Sequence, residues 1–373
     1  MTETPPGTPN GFGVTLNCMF KEIPHQVVYT DSAFKQFGDN LGFINAQVPY
    51  HRSGKFFLSY LLGKIPEWRG QYSSSWLKKN LPHQFSYVYA FVFSTACMQY
   101  AQWISKRKKI PLVVHLADYS PEFEKITFVK ILSGASKLIC ITDEMKSKYE
   151  QMLGRSDIAV LHNGAEKDCF EIPTPSPGPF SKNNPFILCF IGGLFSHLHE
   201  DCIEDIFDAV AKIREKESWI EFHLYGQRQP NNFLANLIQK DGCTHHGIVM
   251  PLEKRFEIME NAHCFVIPST FNSENHEHYR YSFPTKLPEL IASRRPILSY
   301  GPKDTATNRI ISQNEIGIRI HEKSVSMLVD VLQDLGYQYR TIANKVAPSD
   351  PRVLELFSAK AVRNKITNIL SLN

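Results

Sequence analysis

Residues 282–301 read SFPTKLPELIASRRPILSYG and contain a complete loop–helix–strand unit. The Ser282–Lys286 turn leads into a short helix that carries Glu289. Arg294-Arg295-Pro296 stops the helix, and the apolar strand Ile297–Tyr300 follows and ends at Gly301-Pro302. A loop that opens a helix presents unpaired backbone N–H groups and the positive end of the helix dipole, which suits an anionic phosphate. Lys286 adds a point charge, and Glu289 sits about one turn in, within reach of the hydroxyls of a sugar.

The same alternation extends in both directions. Upstream, strands are predicted at 186–193, 220–226, 244–249 and 264–269, with helices at 200–215, 231–239, 251–261, 285–293 and 325–335. Before residue 172 lies a comparable series: strands at 25–30, 86–92, 111–117, 137–142 and 158–164, and helices at 94–109 and 143–153. Such βα alternation predicts parallel, doubly wound sheets. Residues 172–185, IPTPSPGPFSKNNP, are rich in Pro, Ser and Gly and read as a linker. The expected organisation is an α/β chain of two Rossmann-like halves, 1–171 and 186–345, around that linker. A C-terminal helix within 346–373 is expected to pack back toward the first half. Nucleotides bind beyond the carboxyl ends of the strands in such sheets, which predicts a site in the cleft between the halves. The opening TPPGTPNGFGVTLNCMFKEI supplies a loop and a helix but no first strand, so that strand is expected to be missing or atypical.

Composition narrows the class. The chain has 373 residues, 43% hydrophobic and 21% charged, as in a globular protein of two domains. A net charge of +4 is too small and diffuse to indicate a nucleic-acid partner. Eight cysteines form no CxxC pair and mostly lie in apolar runs, as buried thiols of a reducing compartment do. No run reaches the roughly 18 apolar residues of a membrane span, and the polar start resembles no secretory signal. The expected location is cytoplasmic. The stretch 51–79 mixes basic and aromatic residues, which fits either a helix docked on the sheet or peripheral contact with an anionic membrane face. There is no HExxH, CxxC pair or DxD at a strand end, and no metal or other cofactor is expected. Hydrolase-elbow and P-loop patterns are also missing from the sequence.

The stretch 282–301 resembles the donor-binding motif of retaining glycosyltransferases of the GT-B fold, family 4 type (group 1). The family motif reads Glu-x7-Glu. Glu289 matches the second glutamate, and Tyr281 stands where the first would fall; Glu274 and Glu277 lie close by in sequence. The resemblance implies that Pro284, Thr285 and Lys286 face the diphosphate and Glu289 the ribose. Gly192-Gly193 would let the backbone approach the phosphates. The Arg and Lys that usually follow are replaced here by LFSHLHED, so weight shifts to Lys286, with His197 and His199 as further donors or plain solvated groups. Arg228, after Gly226, could reach the diphosphate; Gly247 and Ile248 would border the base. In the first half the resemblance puts His115, at a strand end, near the reacting centre, with Asp118 three residues on. It sets Gly13 in a first loop facing the acceptor or leaving phosphate. Asn163-Gly164 reads as a structural turn.

What the resemblance implies is a metal-independent retaining transferase. Its donor would be a nucleotide-diphosphate sugar and its acceptor a glycan or lipid-linked glycan. Tyr281 and the missing Arg/Lys pair motivate the alternative, a non-catalytic GT-B-like subunit that binds a nucleotide sugar or a partner enzyme.

Overall fold

The computed structural model describes residues 2, 11–23, 28–29, 44–45, 85–92, 95–175, 178–226, 241–249 and 254–371. The predicted helix at 231–239, the basic stretch 51–79 and Arg228 lie outside the described residues. The chain divides into two compact units, one of residues 1–162 with 366–373 and one of residues 163–365.

In the first unit, helix α1 (Gly11–Phe20) is followed by the short parallel pair β1 (Val28–Tyr29) and β2 (Ile44–Asn45). Then come β3 (Val88–Val92), α2 (Thr95–Lys108), β4 (Leu112–Leu116), α3 (Ile126–Ser133), β5 (Lys137–Cys140), α4 (Asp143–Leu153) and β6 (Ala159–Val160). Strands β3 to β6 form a parallel sheet in chain order. VYAFV and LVVHL are buried at every position, as parallel strands covered on both faces must be. Helix α4 shows why its boundaries fall where they do. Thr142 accepts the Met145 N–H at 3.2 Å, Asp143 and Glu144 sit in the positive first turn, and Gly154 ends the helix in the left-handed conformation.

The expected first loop is helical. Gly11 already begins α1, Thr15 Oγ1 donates to the Gly11 carbonyl at 2.8 Å, and Gly13 is buried within the first turn. Packing outweighs the two glycines: Phe12 meets Phe91 and Phe20 meets Tyr89, at ring separations of 6.2 and 4.9 Å. The expected irregularity of the first strand takes a definite form. Thr2, itself buried, makes a single parallel bridge to Phe91 of β3.

In the second unit, β7 (Phe186–Ile191), α5 (Ser196–Arg214), β8 (Ile220–Tyr225), β9 (Cys243–His245), α6 (Lys254–Asn261) and β10 (Cys264–Pro268) come first. They are followed by α7 (His276–Tyr281), α8 (Leu287–Ala292), β11 (Ile297–Tyr300), α9 (Ala306–Gln313), β12 (Ile318–Ile320), α10 (Val325–Tyr337), α11 (Tyr339–Val346), α12 (Pro351–Leu356) and α13 (Ala359–Ser371). The residues of α13 from Ile366 onward group with the first unit. The six strands are parallel in the order β9-β8-β7-β10-β11-β12. Numbered along the sheet this is 3-2-1-4-5-6, the doubly wound order of dinucleotide-binding folds. Its direction reverses between β7 and β10. The core joins both sides of that point: Phe186, Phe207, Phe222, Trp219, Tyr300 and Leu332 belong to one buried cluster. Each such side chain contributes about 1.5–3 kcal/mol by leaving water.

All eight cysteines are free and buried. Among the described residues no helix is long and apolar enough to cross a membrane.

Candidate functional site

Helices that connect parallel strands run back against them. Their first turns therefore stand at the carboxyl edge of the sheet, beside the loops that leave β7, β8 and β9. Three glycines pack against one another there. Gly192 N–H donates to the Tyr225 carbonyl at 2.9 Å, and Gly226 N–H donates to the Gly247 carbonyl at 2.8 Å. Gly226 has φ 153°, and a Cβ there would stand 1.6 Å from the Gly192 carbonyl oxygen, so no other residue fits. Gly192 thus uses its amide within the sheet edge; what it offers a ligand is close approach. Beyond Gly247, which has φ 76°, Ile248 is 57% exposed. His246 stacks on Tyr225 with ring centroids 4.4 Å apart.

Glu289 lies on α8 and is 6% exposed. A buried carboxylate requires compensation, and two cations provide it. Lys286 Nζ is 3.4 Å from one of its oxygens and Arg255, on the first turn of α6, is 3.7 Å from the other. Both pairs are long, and Arg255 Nε is buried without a hydrogen-bond partner. The cluster is therefore incompletely bonded. Around it, Pro284 accepts the Leu287 N–H at 3.0 Å and the Asn163 side-chain amide donates to the Thr285 carbonyl. Asn163-Gly164 is in turn fixed to the chain end, where Ala165 and Ala359 exchange backbone bonds with Phe357 and Ala165. The structural reading of that turn and the donor-loop reading of Pro284–Glu289 thus meet in one place.

Sequence reasoning missed Arg255 because its partner lies 34 positions away. It also read Arg295 as a helix stop only. Arg295 is fully buried, and its guanidinium donates to the carbonyls of Ala262, Ser293, Pro173 and Glu260 at 2.6–3.1 Å. Burial lowers its pKa to about 10, and it remains charged at neutral pH. The guanidinium ties α6, α8 and the 172–175 segment together, holding Arg255 and Glu289 in register. Tyr281, at the position of the first motif glutamate, is buried.

In the first unit, His115 is wholly buried on β4. The Tyr89 hydroxyl donates to its Nδ1 at 2.6 Å, and its Nε2–H donates to the Leu161 carbonyl at 2.9 Å. The Leu161 carbonyl can only accept, so Nε2 carries the proton. Burial pushes the imidazole down to about 3 and the Tyr89 hydroxyl well above its ordinary range, which keeps the ring neutral with Nδ1 as acceptor. Both ring nitrogens are taken, so the expected reacting histidine stands inside the core. Asp118 is half-buried and accepts the Tyr119 N–H at 2.9 Å; the orientation of His115 is set by Tyr89 and Leu161 instead.

The family model described as glycosyl transferases group 1 matches residues 185–336. No curated protein matches the sequence. Among solved structures, HepE of Anabaena in complex with UDP and glucose is 15% identical with a TM-score of 0.67, covering 100% of this chain and 98% of that one. A glycosyltransferase of Rickettsia africae is 12% identical with a TM-score of 0.65, at 100% and 98% coverage. Sucrose-phosphate synthase of Thermosynechococcus elongatus is 13% identical with a TM-score of 0.58, at 88% and 82% coverage. At these identities the likeness shows the fold. The chain thus has the GT-B fold, and its residues 185–336 match the glycosyl transferases group 1 model.

Proposed function

We propose that the chain is a metal-independent, retaining glycosyltransferase that uses a nucleoside-diphosphate sugar, with UDP as the nucleotide, and a glycan or lipid-linked acceptor. The observation that carries this reading is the incompletely bonded Glu289–Lys286–Arg255 cluster at the carboxyl edge of a sheet with dinucleotide-binding order. Glu289 takes the ribose hydroxyls, and Lys286 turns from Glu289 to the diphosphate. Ile248 and the Gly247 backbone border the base. The choice of UDP is supported by HepE, which is described with UDP and with UDP-glucose.

Breaking the glycosidic bond places negative charge on the departing diphosphate. A preorganised cation that meets this charge lowers the barrier. In the retaining scheme the acceptor arrives on the face the diphosphate leaves, and a phosphate oxygen takes the acceptor proton. No side-chain base is required, which agrees with the engaged state of His115 and leaves neither His115 nor Asp118 a proton-transfer step. The test is calorimetry with UDP, followed by UDP release from a panel of UDP-sugars with and without lipid-linked acceptors. Binding and turnover support the proposal; a protein that binds no nucleoside diphosphate overturns it.

The buried Tyr281 favours a second reading, a non-catalytic subunit that binds a nucleotide sugar. UDP-sugar binding without turnover, with every acceptor tried, would establish that reading.

A further inference from the structure

Three histidines stand on the segments that flank two loops, Gly192–Leu194 and Ser282–Lys286, the second of which carries the Lys286 that the proposed function gives to the diphosphate. His197 and His199 lie on the first turn of α5, directly after the Gly192–Leu194 turn. His278 lies on α7, directly before the Ser282–Lys286 loop. The two segments are fastened together inside the second unit. The Tyr279 hydroxyl donates to the Leu198 carbonyl at 2.6 Å and the Asn275 side-chain amide to the His197 carbonyl at 2.8 Å. Thr270 N–H also reaches the Leu198 carbonyl, at 3.1 Å.

The imidazoles share one aromatic cluster. His199 is 5.7 Å from Phe190 and 6.4 Å from Tyr279, while His278 is 5.4 Å from Tyr279 and His197 is 6.1 Å from Phe195. His199 Nδ1 accepts the Phe195 N–H at 3.4 Å, so its proton resides on Nε2. Burial and the facing imidazoles of His197 and His278 lower His199 to about 4, which keeps it neutral. His197 is exposed and also lines a cavity of about 530 Å³ beside Thr270 and Lys323.

The charged groups around the cluster decide what it can bind. On α5, Glu200 and Asp201 face the same cavity as His197, with Glu204 a turn further on. Glu274 lies on the turn before α7, and Glu277 and Arg280 lie on α7 itself. His276 is held apart, paired with Asp304 at 2.6 Å, and Arg309 of α9 bonds to the carbonyls of Asp304 and Arg280. Carboxylates oppose an anion here, so an anion needs positive charge brought in beside it. Among the described residues no three His, Cys, Asp or Glu side chains are arranged to hold a metal ion. An anion therefore finds favourable charge at this place when protons come with it.

Resting on the proposed donor site, we propose that His197 and His278 take up protons as the diphosphate binds, while neutral His199 donates from Nε2, so that donor affinity is coupled to pH. The imidazoles act in place of the fixed Arg and Lys that the resembling family carries after its glycine turn. A bound diphosphate interacts more favourably with a charged imidazole than with a neutral one. The added affinity is therefore expected to be greater at low pH and to be lost as pH rises.

The experiment is calorimetry at pH 6 and pH 8 with UDP, uridine and inorganic pyrophosphate, in buffers of different ionisation enthalpy. It compares the wild-type protein with the double variant His197→Asn, His278→Asn. UDP has its own phosphate ionisation, so the variant supplies the baseline. The wild-type protein is expected to take up about one more proton per UDP than the variant. Its ratio of Kd at pH 8 to Kd at pH 6 should exceed the variant's by about fivefold or more, a fraction of the full linkage for two groups. Uridine should show no such difference. His197→Arg with His278→Arg should bind tightly at both pH values. Equal proton uptake and equal pH ratios in wild type and Asn variant, with UDP still bound, overturn the coupling and leave the donor site standing. Pyrophosphate binding that keeps the difference while no nucleoside diphosphate binds overturns the donor site and keeps the coupling. If neither ligand binds, both fall.

Discussion

His115 in the first unit and Glu289 in the second are both buried ionisable residues, and both were marked out by the same resemblance. They differ in how completely they are bonded. His115 is neutral, with one ring nitrogen accepting and the other donating at 2.6 and 2.9 Å. Glu289 faces two cations at 3.4 and 3.7 Å, one of which leaves a buried nitrogen unpartnered. A group whose bonds are all made contributes to the fold, because leaving any of them unmade is costly. A group with long, shared contacts can exchange them for a ligand at little cost. Burial alone does not separate the two roles; bonding completeness does.

The largest expected effect tests whether this distinction depends on the unit. Arg295 belongs to the second unit, beside the donor motif, yet it is bonded as completely as His115. Replacing it would leave four carbonyls, two of them in buried bonds, without this donor. Arg295→Met is expected to destabilise the second unit by roughly 4 kcal/mol. Hydrogen exchange read by mass spectrometry should show faster opening of β10 and β11 and little change in β3 and β4. If the second unit keeps its protection and only nucleotide binding is lost, bonding completeness is the wrong criterion.

His115 comes next. His115→Ala removes a buried ring together with its bonds to the Tyr89 hydroxyl and the Leu161 carbonyl, at a cost of about 3 kcal/mol. The histidine also carries a pH signature. Its folded pKa of about 3 lies below the unfolded value of about 6.5, so the unfolded chain binds more protons between them. Stability is therefore complete above about pH 6.5 and declines as pH falls toward 3. The loss at pH 5 is on the order of 2 kcal/mol. His115→Phe should flatten that decline in the first unit's exchange rates, with UDP affinity unchanged. A His115→Phe protein that keeps the wild-type decline would show that the histidine is not neutral and closed.

How far the sequence could be read follows from the range of the interactions involved. The strands FILCFI, CFVIP and ILSY stood out as contiguous apolar runs, and helix α10 as a periodic one, because these signals are local. Strand β12 is three residues, IRI, too short to show a period. The opening segment reads as a loop and then a helix, and the structure begins the helix earlier, at Gly11, because the contacts of Phe12 and Phe20 with β3 come from far along the chain. The order of the strands leaves no local trace at all. The same holds at the site. Lys286 and Glu289 share one turn and could be paired from spacing, but Arg255, Asn163 and Tyr89 find their partners through the fold.

Glu289→Ala tests the open half of the comparison. The loss of a hydrogen-bonded charge at the ribose is worth about 1.5–3 kcal/mol, or roughly ten- to a hundredfold in UDP affinity. Stability should change less than in Arg295→Met, because Lys286 and Arg255 are partly exposed and can turn to water. Lys286→Ala should weaken UDP far more than uridine, since only UDP carries the phosphates. Equal losses for the two ligands would detach Lys286 from the diphosphate, and unchanged UDP affinity in Glu289→Ala would remove Glu289 from the ribose.

Asp118 gives the smallest expected effect and sets the lower limit of the comparison. Its carboxylate accepts the backbone N–H of Tyr119, the residue directly after it, at 2.9 Å. This is a local turn bond at a half-buried position, the kind that supports chain direction where a strand ends. Such a bond is worth about 1 kcal/mol. Asp118→Asn keeps an acceptor oxygen in the same place and should be almost neutral, while Asp118→Ala should cost about 1 kcal/mol of first-unit stability. Neither should alter UDP affinity, since the donor residues all belong to the second unit. Transfer measured on the same protein supplies the decisive reading. If Asp118→Asn transfers at the wild-type rate, the carboxylate acts through its hydrogen bond alone. If Asp118→Asn folds normally and binds UDP normally but loses transfer by a hundredfold, its charge takes part in the reaction, and a partly bonded residue of the first unit would join Glu289 on the functional side.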